Sequence, residues 1–413
     1  MNAPKKPRSL LKRIAVILGG TAVVLLGLVA LWIWNARRSF EAQLEPLRED
    51  GKPVSLKQIR PEDVPESENA AVVLAQRQTS LQEFDRRLAE ATAQTNDPEE
   101  IEAAGAKLAS EIEASDPELV PAIRELAARP VYQPGLDYTL PPAEFMQQVI
   151  ERQSEVRTAA RLLQGHGLML LANGQPDQAA ADAIAIVQWS DLIGGQPLLV
   201  NGLTSFAVRL TGLDLAERLL YQGGLSPEVR QRLVALVGDE QTLVSNFQRM
   251  LDTERAFGID SYRQLPSATI GALSGDVGQY LKQVESFQSL AADPSGLGDS
   301  AEPSTGGSLS GLSWSALHQG IVALRRVQAK SRALSILSAW QSTDPANELS
   351  VESLSLSPPT TTDPFNGKPM KLVNRLDSLA VYSVGENLTD DGGDLSEGED
   401  VGVAPGEDDT SSR

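Results

Sequence analysis

The sequence predicts a mainly α-helical chain on one N-terminal transmembrane helix, ending in a small β-hairpin and an acidic, disordered tail. Three observations carry that expectation. Residues 14–34 form an apolar run of 21 residues without a charge. The chain beyond it is rich in Ala, Leu, Gln and Glu, with apolar positions at helical spacing. Aromatic residues make up only 5% of the 413, against 41% hydrophobic, a balance that favours helices over a β-sandwich.

The elements follow in chain order. Residues 1–13 read as a basic cytoplasmic tail holding Lys5, Lys6, Arg8, Lys12 and Arg13. Ile14 to Trp34 reads IAVILGGTAVVLLGLVALWIW. At about 1.5 Å per residue it spans about 31 Å, close to the hydrocarbon thickness of a bilayer. Trp32 and Trp34 stand where an aromatic belt is expected, and five basic residues precede the run while Arg37 and Arg38 follow it. The positive-inside rule then puts the N-terminus in the cytoplasm and everything after about Arg38 on the periplasmic or other extracytoplasmic side of the inner membrane. The run exceeds the ~7–15-residue core of a cleaved signal peptide and no A-x-A site follows, which predicts a single-pass signal-anchor. Arg13 precedes the run and no Glu lies within it, so this is not a standard pilin leader.

Residues 39–65, with Pro46, Pro53, Pro61 and Pro65, predict a partly extended linker. Residues 66–287 predict a helical exported domain. Leu74, Leu81 and Leu88 repeat every seven residues with Phe84 on their face. Asp97-Pro98-Glu99-Glu100 and Asp116-Pro117-Glu118 each read as a capped helix start. Gly167, Gly174 and Ala179 hold the small-residue spacing of one tetratricopeptide-like helical hairpin, with no second copy in register. Further helices are expected at about 197–221, 227–237 and 239–256. The Gly/Ser/Pro-rich stretch 288–313 reads as a linker, and 314–342 as a helix. Residues 363–385 predict a β-hairpin element, with a tight turn at Asp363–Gly367 and strands Met370–Leu376 and Leu379–Val384. Residues 386–413, with ten acids between Glu386 and Asp409 and no base among them, predict an acidic disordered tail.

The chemistry that composition permits is narrow. With no cysteine, disulfides, thiolate zinc sites, iron–sulfur clusters, a cysteine nucleophile and a lipoprotein anchor are excluded. The first 38 residues carry seven basic side chains and no acid, so a chain at −19 overall leaves −26 on residues 39–413. That field repels phosphate backbones and excludes nucleic acid as a partner. His166 and His318 are the two histidines and read as ordinary helix residues. No G-x-S-x-G elbow, P-loop, G-x-G-x-x-G or H-E-x-x-H is present, so no catalytic residue and no cofactor are assigned. One segment suggests a metal. Asn387, Asp390, Asp391 and Asp394 gather side-chain oxygens among glycines directly after a strand, a composition suited to weak calcium binding.

The stretch Asp363 to Gly393, DPFNGKPMKLVNRLDSLAVYSVGENLTDDGG, resembles the ending of type II secretion major pseudopilins. Asp363, Pro364, Gly367, Pro369, Ser383 and Gly385 fit that ending, whereas Asn366 is an extra residue, Asn387 stands where the family often has Asp, and the pilin leader is missing. The resemblance implies a calcium loop at the same acids. A broader resemblance, over GKPVSLKQI…ENAA, RLLQGHGLMLLANGQPDQAAAD and the same ending, is to single-pass membrane proteins of planctomycete-type bacteria, a family without an established activity. Together these readings point to a non-enzymatic, membrane-tethered helical protein making protein–protein contacts at the cell envelope. The alternatives are an accessory of a type II secretion or pseudopilus-like machine, and a hydrolase without a recognisable motif.

Overall fold

In the computed structural model of the chain, the described residues are 27–266, 269–270, 274–293, 308–343, 350–375, 378–395 and 399–405. Residues 14–26 of the expected transmembrane run lie outside them. The first described helix, α1 (27–43), exposes Leu28, Val29, Leu31, Trp32 and Trp34 and then buries Ala36 and Phe40. Among the described residues, no helix is long and apolar enough to cross a membrane. The segment expected to be a partly extended linker is in part helical. Helix α1 runs into it, α2 (Glu45–Glu49) follows, and a 3-10 turn occupies Leu56–Ile59.

Capping then sets the register of the next helices. Asn69 accepts a hydrogen bond from the Ala71 N–H at 3.0 Å and starts α3 (Ala70–Gln76). Helix α4 (Gln78–Ala91) follows after a break at Arg77, so the seven-residue leucine repeat is split over two helices. Asp97 caps α5 (Pro98–Ser115) through Glu99 N–H at 2.9 Å. Asp116 behaves differently from its expected role. It ends α5, its carboxylate accepts from the Ser80 hydroxyl at 3.2 Å, and α6 starts later, at Leu119–Ala127. The side chain that would cap α6 is thus taken by a residue of α4.

After α7 (Pro142–Glu151) comes the centre of the molecule: α8 (Gln153–Ala172), α9 (Pro176–Gly194) and α10 (Leu199–Gln222). Helix α9 reads PDQAAADAIAIVQWSDLIG and is apolar almost all round, so it is buried on nearly every face. The small residues of the tetratricopeptide-like hairpin have a packing reason. A Cβ on Gly167 would stand 2.5 Å from Leu215 of α10, and one on Gly165 would stand 2.6 Å from the Gly105 carbonyl oxygen of α5. Helices α11 (Pro227–Val237), α12 (Glu240–Gln264), α13 (Ser274–Ala292) and α14 (Ser308–Trp340) wrap this centre. Both ends of the expected 288–313 linker are therefore helical. Phe287, Leu290 and Ala291 recur at i, i+3 and i+4 and are buried, which carries α13 into the Ser-rich sequence. Residues 294–307 lie outside the described residues.

The C-terminal element is a three-stranded antiparallel sheet, with β1 (Lys371–Arg375) beside β2 (Ser378–Ser383) and β3 (Val401–Val403) on the other side of β2. The third strand comes from the segment expected to be a disordered tail. Its Val401-Gly402-Val403 triplet is short enough to be hidden among acids. Val403 is fully buried, and Gly402 lies so close to Tyr382 that a Cβ would meet the Val381 carbonyl at 2.1 Å. A short helix, α15 (Pro358–Thr361), precedes the Asp363 turn. One continuous hydrophobic core runs from Phe40 and Leu44 through the helices to Leu379, Val381 and Val403.

Candidate functional site

A cleft of about 660 Å³ opens between two non-helical walls and the outer face of α12. One wall is the 53–61 stretch, with Pro53, Gln58, Ile59 and Pro61; the other is 130–138, with Pro130, Tyr132 and Tyr138. Prolines fix φ, so the 130–138 wall and the ends of the 53–61 wall, on either side of its 3-10 turn at Leu56–Ile59, hold their course at little entropic cost. The walls are also tied down. Asn69 accepts from Gln133 N–H at 2.9 Å and donates to the Gln133 carbonyl at 2.9 Å, and the Leu56 N–H donates to Asp260 of α12 at 2.8 Å.

The floor is the corner between α9 and α10, Gly195-Gln196-Pro197. The next residue, Leu198, has φ +74°, a left-handed conformation that is costly for a branched aliphatic side chain. Three contacts hold it. Its side chain is fully buried, its N–H donates to the Thr253 hydroxyl at 2.9 Å, and the Leu199 N–H donates to the Glu254 carboxylate at 2.9 Å. Burial pushes the Glu254 carboxyl up, with the Leu199 bond opposing. Strain of this kind persists where the surroundings over-determine it, and it gathers at functional sites.

The charges in the cleft are unequal in their commitments. Asp191 at the end of α9 accepts from the buried Arg209 guanidinium at 2.8 Å. Burial pushes its carboxyl up to about 6, and Arg209 opposes part of that rise. Asp252 is held by Arg255 at 2.7 Å and Gln288 at 2.7 Å. Arg249, on the same face of α12, is exposed and makes no hydrogen bond or ion pair among the described residues. The Tyr132 ring packs edge-on against Trp189 at 4.9 Å, and its buried hydroxyl has no hydrogen-bond partner. Burial raises the pKa of Tyr132 and pushes Tyr138 up to about 12, so both stay neutral. The cleft thus combines a rigid, largely apolar lining with one uncommitted cation.

None of these residues was singled out from the sequence. They come from four separated stretches, and the available signal was weak: prolines at 53, 61, 130 and 197 outside helices.

The residues that were singled out have other surroundings. His166 is no ordinary surface helix residue. It is buried, its Nδ1 lies 2.7 Å from the fully buried Asp182 carboxylate, and Asp182 also accepts from Arg124 Nε at 2.6 Å. Glu113 stands 3.6 Å from the other ring nitrogen, so one network joins α5, α6, α8 and α9. His318 stacks on Trp314 at 4.8 Å.

At the C-terminal end, the D-P-F turn and the Y-S-V-G stretch form one unit. The buried Asp363 carboxylate accepts from Phe365 N–H at 2.8 Å, Ser383 Oγ at 2.7 Å and Val384 N–H at 3.0 Å. In the acidic loop, Asn387 donates to Asp391 at 3.4 Å, and Asp391 accepts from Glu399 N–H at 3.2 Å. Asp390 instead turns to Lys371 at 3.2 Å and to the Tyr382 hydroxyl at 3.0 Å; Lys371 first and Tyr382 second hold its carboxyl low. Asp394 follows the Gly392-Gly393 turn and is half-buried. Asp400, unmarked in the sequence, is buried beside this loop. One of its oxygens accepts from Gly393 N–H at 2.8 Å, and the other meets no well-formed hydrogen bond among the described residues. Among the described residues, no group of three or more acids or histidines is arranged to hold a metal ion.

The chain matches no protein-family model, no curated protein and no solved structure.

Proposed function

We propose that this chain is a membrane-anchored, non-enzymatic helical protein of the cell envelope that binds a protein partner in the cleft between residues 53–61, residues 130–138 and α12. The observation that carries the reading is the cleft's composition. Prolines and tyrosines line the walls, a strained corner forms the floor, and one arginine is left uncommitted among the described residues. Grooves of this make-up suit extended peptide segments, because a rigid apolar lining binds without having to be ordered first. The anchor rests on the apolar run 14–34 and is supported by the exposed Leu28, Leu31, Trp32 and Trp34 on α1.

The absence of cysteine makes the test clean. A single Asn246→Cys on the cleft face and, as control, a single Glu100→Cys on α5 are each labelled with a photo-crosslinker in membranes. A discrete adduct with another envelope protein from Asn246→Cys alone is expected. Equal or absent adducts at both positions refute the cleft as the binding surface.

Two further readings have their own support. The Asp363-centred unit favours an accessory of a type II secretion or pseudopilus-like machine, and an adduct containing secretion components is its signature. The acidic loop composition at Asn387, Asp390, Asp391 and Asp394 supports a weak calcium site, which would require those side chains to regroup, since no three acids among the described residues are arranged around an ion as they stand. Calorimetry on the whole chain should then give a saturable isotherm that disappears in Asp391→Ala plus Asp394→Ala. Heat that never saturates and fades with added salt leaves only a diffuse ion cloud.

A further inference from the structure

The cleft carries a further inference, which rests on reading it as a protein-binding surface: the chemistry its partner must present. Of the three charged side chains that line it, two are already neutralised, Asp191 by Arg209 and Asp252 by Arg255. Arg249 is left with an exposed guanidinium and no partner among the described residues. The local excess is therefore one positive charge, in a chain that carries −26 beyond residue 38. A guanidinium presents a planar fork of donors that matches a carboxylate with two parallel hydrogen bonds. Gln58, which also lines the cleft, uses its side-chain oxygen to accept from Val54 N–H at 2.7 Å, and its amide nitrogen has no partner among the described residues. That nitrogen is a donor suited to a backbone carbonyl. The same lining holds Pro53, Pro61, Pro130 and Tyr138, flat apolar surfaces that fit an extended chain better than a helix. The volume, about 660 Å³, lies within the ~300–1,000 Å³ range of sites for small ligands and short peptides.

We infer that the cleft takes an extended peptide segment whose carboxylate is received by Arg249. The group is the free C-terminal carboxylate of that segment, and an acidic side chain in its place is an outcome of the test. The full chain in detergent is titrated with a fluorescein-labelled hexapeptide, Pro-Pro-Leu-Pro-Ala-Ala, read by anisotropy. Three forms are compared: the free C-terminal acid, the C-terminal amide, and the amide with Glu replacing Leu. The acid should bind saturably, and Arg249→Gln should weaken it about tenfold or more, the effect of losing a charge-assisted pair. Arg232→Gln, an exposed arginine outside the cleft, should leave it unchanged. The plain amide should bind wild type as weakly as the acid binds Arg249→Gln. No recovery of affinity by the Glu-containing amide supports the terminus, and full recovery overturns it in favour of an acidic side chain. Equal binding of acid and plain amide, or wild-type affinity in Arg249→Gln, overturns the carboxylate while leaving a peptide-binding cleft in place. If no form binds and the Asn246→Cys cross-link joins two copies of this chain, the cleft is a self-contact and both readings fall.

Discussion

Replacing Asp182 by Asn should cost the fold about 3–5 kcal/mol. The carboxylate is fully buried and accepts from Arg124 Nε at 2.6 Å and faces His166 Nδ1 at 2.7 Å. Hydrogen bonds to charged groups are each worth about 1.5–3 kcal/mol, and removing one partner of a buried pair costs about 3–5 kcal/mol. Asn keeps the volume but loses the charge, so the buried site keeps one weaker acceptor and Arg124 is left without its counter-charge. With an unfolding entropy of about 2.1 cal/mol/K per residue over about 350 described residues, the midpoint should fall by about 4–7 °C. Glu113→Gln is the internal control. Glu113 is half exposed and 3.6 Å from His166, so its loss should move the midpoint by less than about 1 °C. Thermal unfolding of the chain, followed by circular dichroism, reads both. Equal shifts for the two variants, or no shift for Asp182→Asn, would show that the network does not hold α6, α8 and α9 together.

Four further outcomes are expected. Asp363→Ala removes an acceptor shared by Phe365 N–H, Ser383 and Val384 N–H, so amide exchange should speed up across 371–384 while α8 to α10 keep their protection. Gly165→Ala drives a methyl to 2.6 Å from the Gly105 carbonyl and should destabilise by about 1–3 kcal/mol in chemical denaturation; a neutral change would mean α5 can back away from α8. Asp191 is raised in the folded state to about 6 from an ordinary value of 3.8, so the folded form holds its proton more tightly than the unfolded one. Its contribution is present at low pH and is lost as pH rises between those two values, so wild type should lose more stability than Asp191→Asn from pH 4 to pH 7. Alkaline phosphatase fused at Arg413 should be active and β-galactosidase inactive, and the reverse pattern refutes the topology.

Much of the helical body was legible because its signals are local. The Asp97 cap and the leucine spacing of residues 74–88 each act over a few residues, and chain order preserves them. Asp116 misled because a capping motif says nothing about a competitor 36 positions away, here Ser80. The tail misled for a compositional reason. Ten acids dominate any average, and Val401–Val403 is too short to stand out until β2 offers it an edge. The cleft could not be foreseen, since its walls belong to segments 53–61, 130–138, 191–197 and 242–253 that only tertiary packing brings together. A free Arg249 looks like any other surface arginine until Asp191 and Asp252 are seen to be taken.

Helix α1 passes from its exposed apolar end at Trp34 into the protein core at Phe40 without a break, and Glu41 then pairs with Arg263 of α12 at 3.2 Å. Six residues of helix separate the two, a rise of about 9 Å. On the anchored reading, this leaves no slack: the body is bolted to its stalk rather than hung from it. It cannot swivel freely or reach outward into the surrounding space, and the cleft keeps one height and one bearing relative to the bilayer. A partner must then come to the membrane surface to be bound, and whatever it carries is presented there in a fixed orientation.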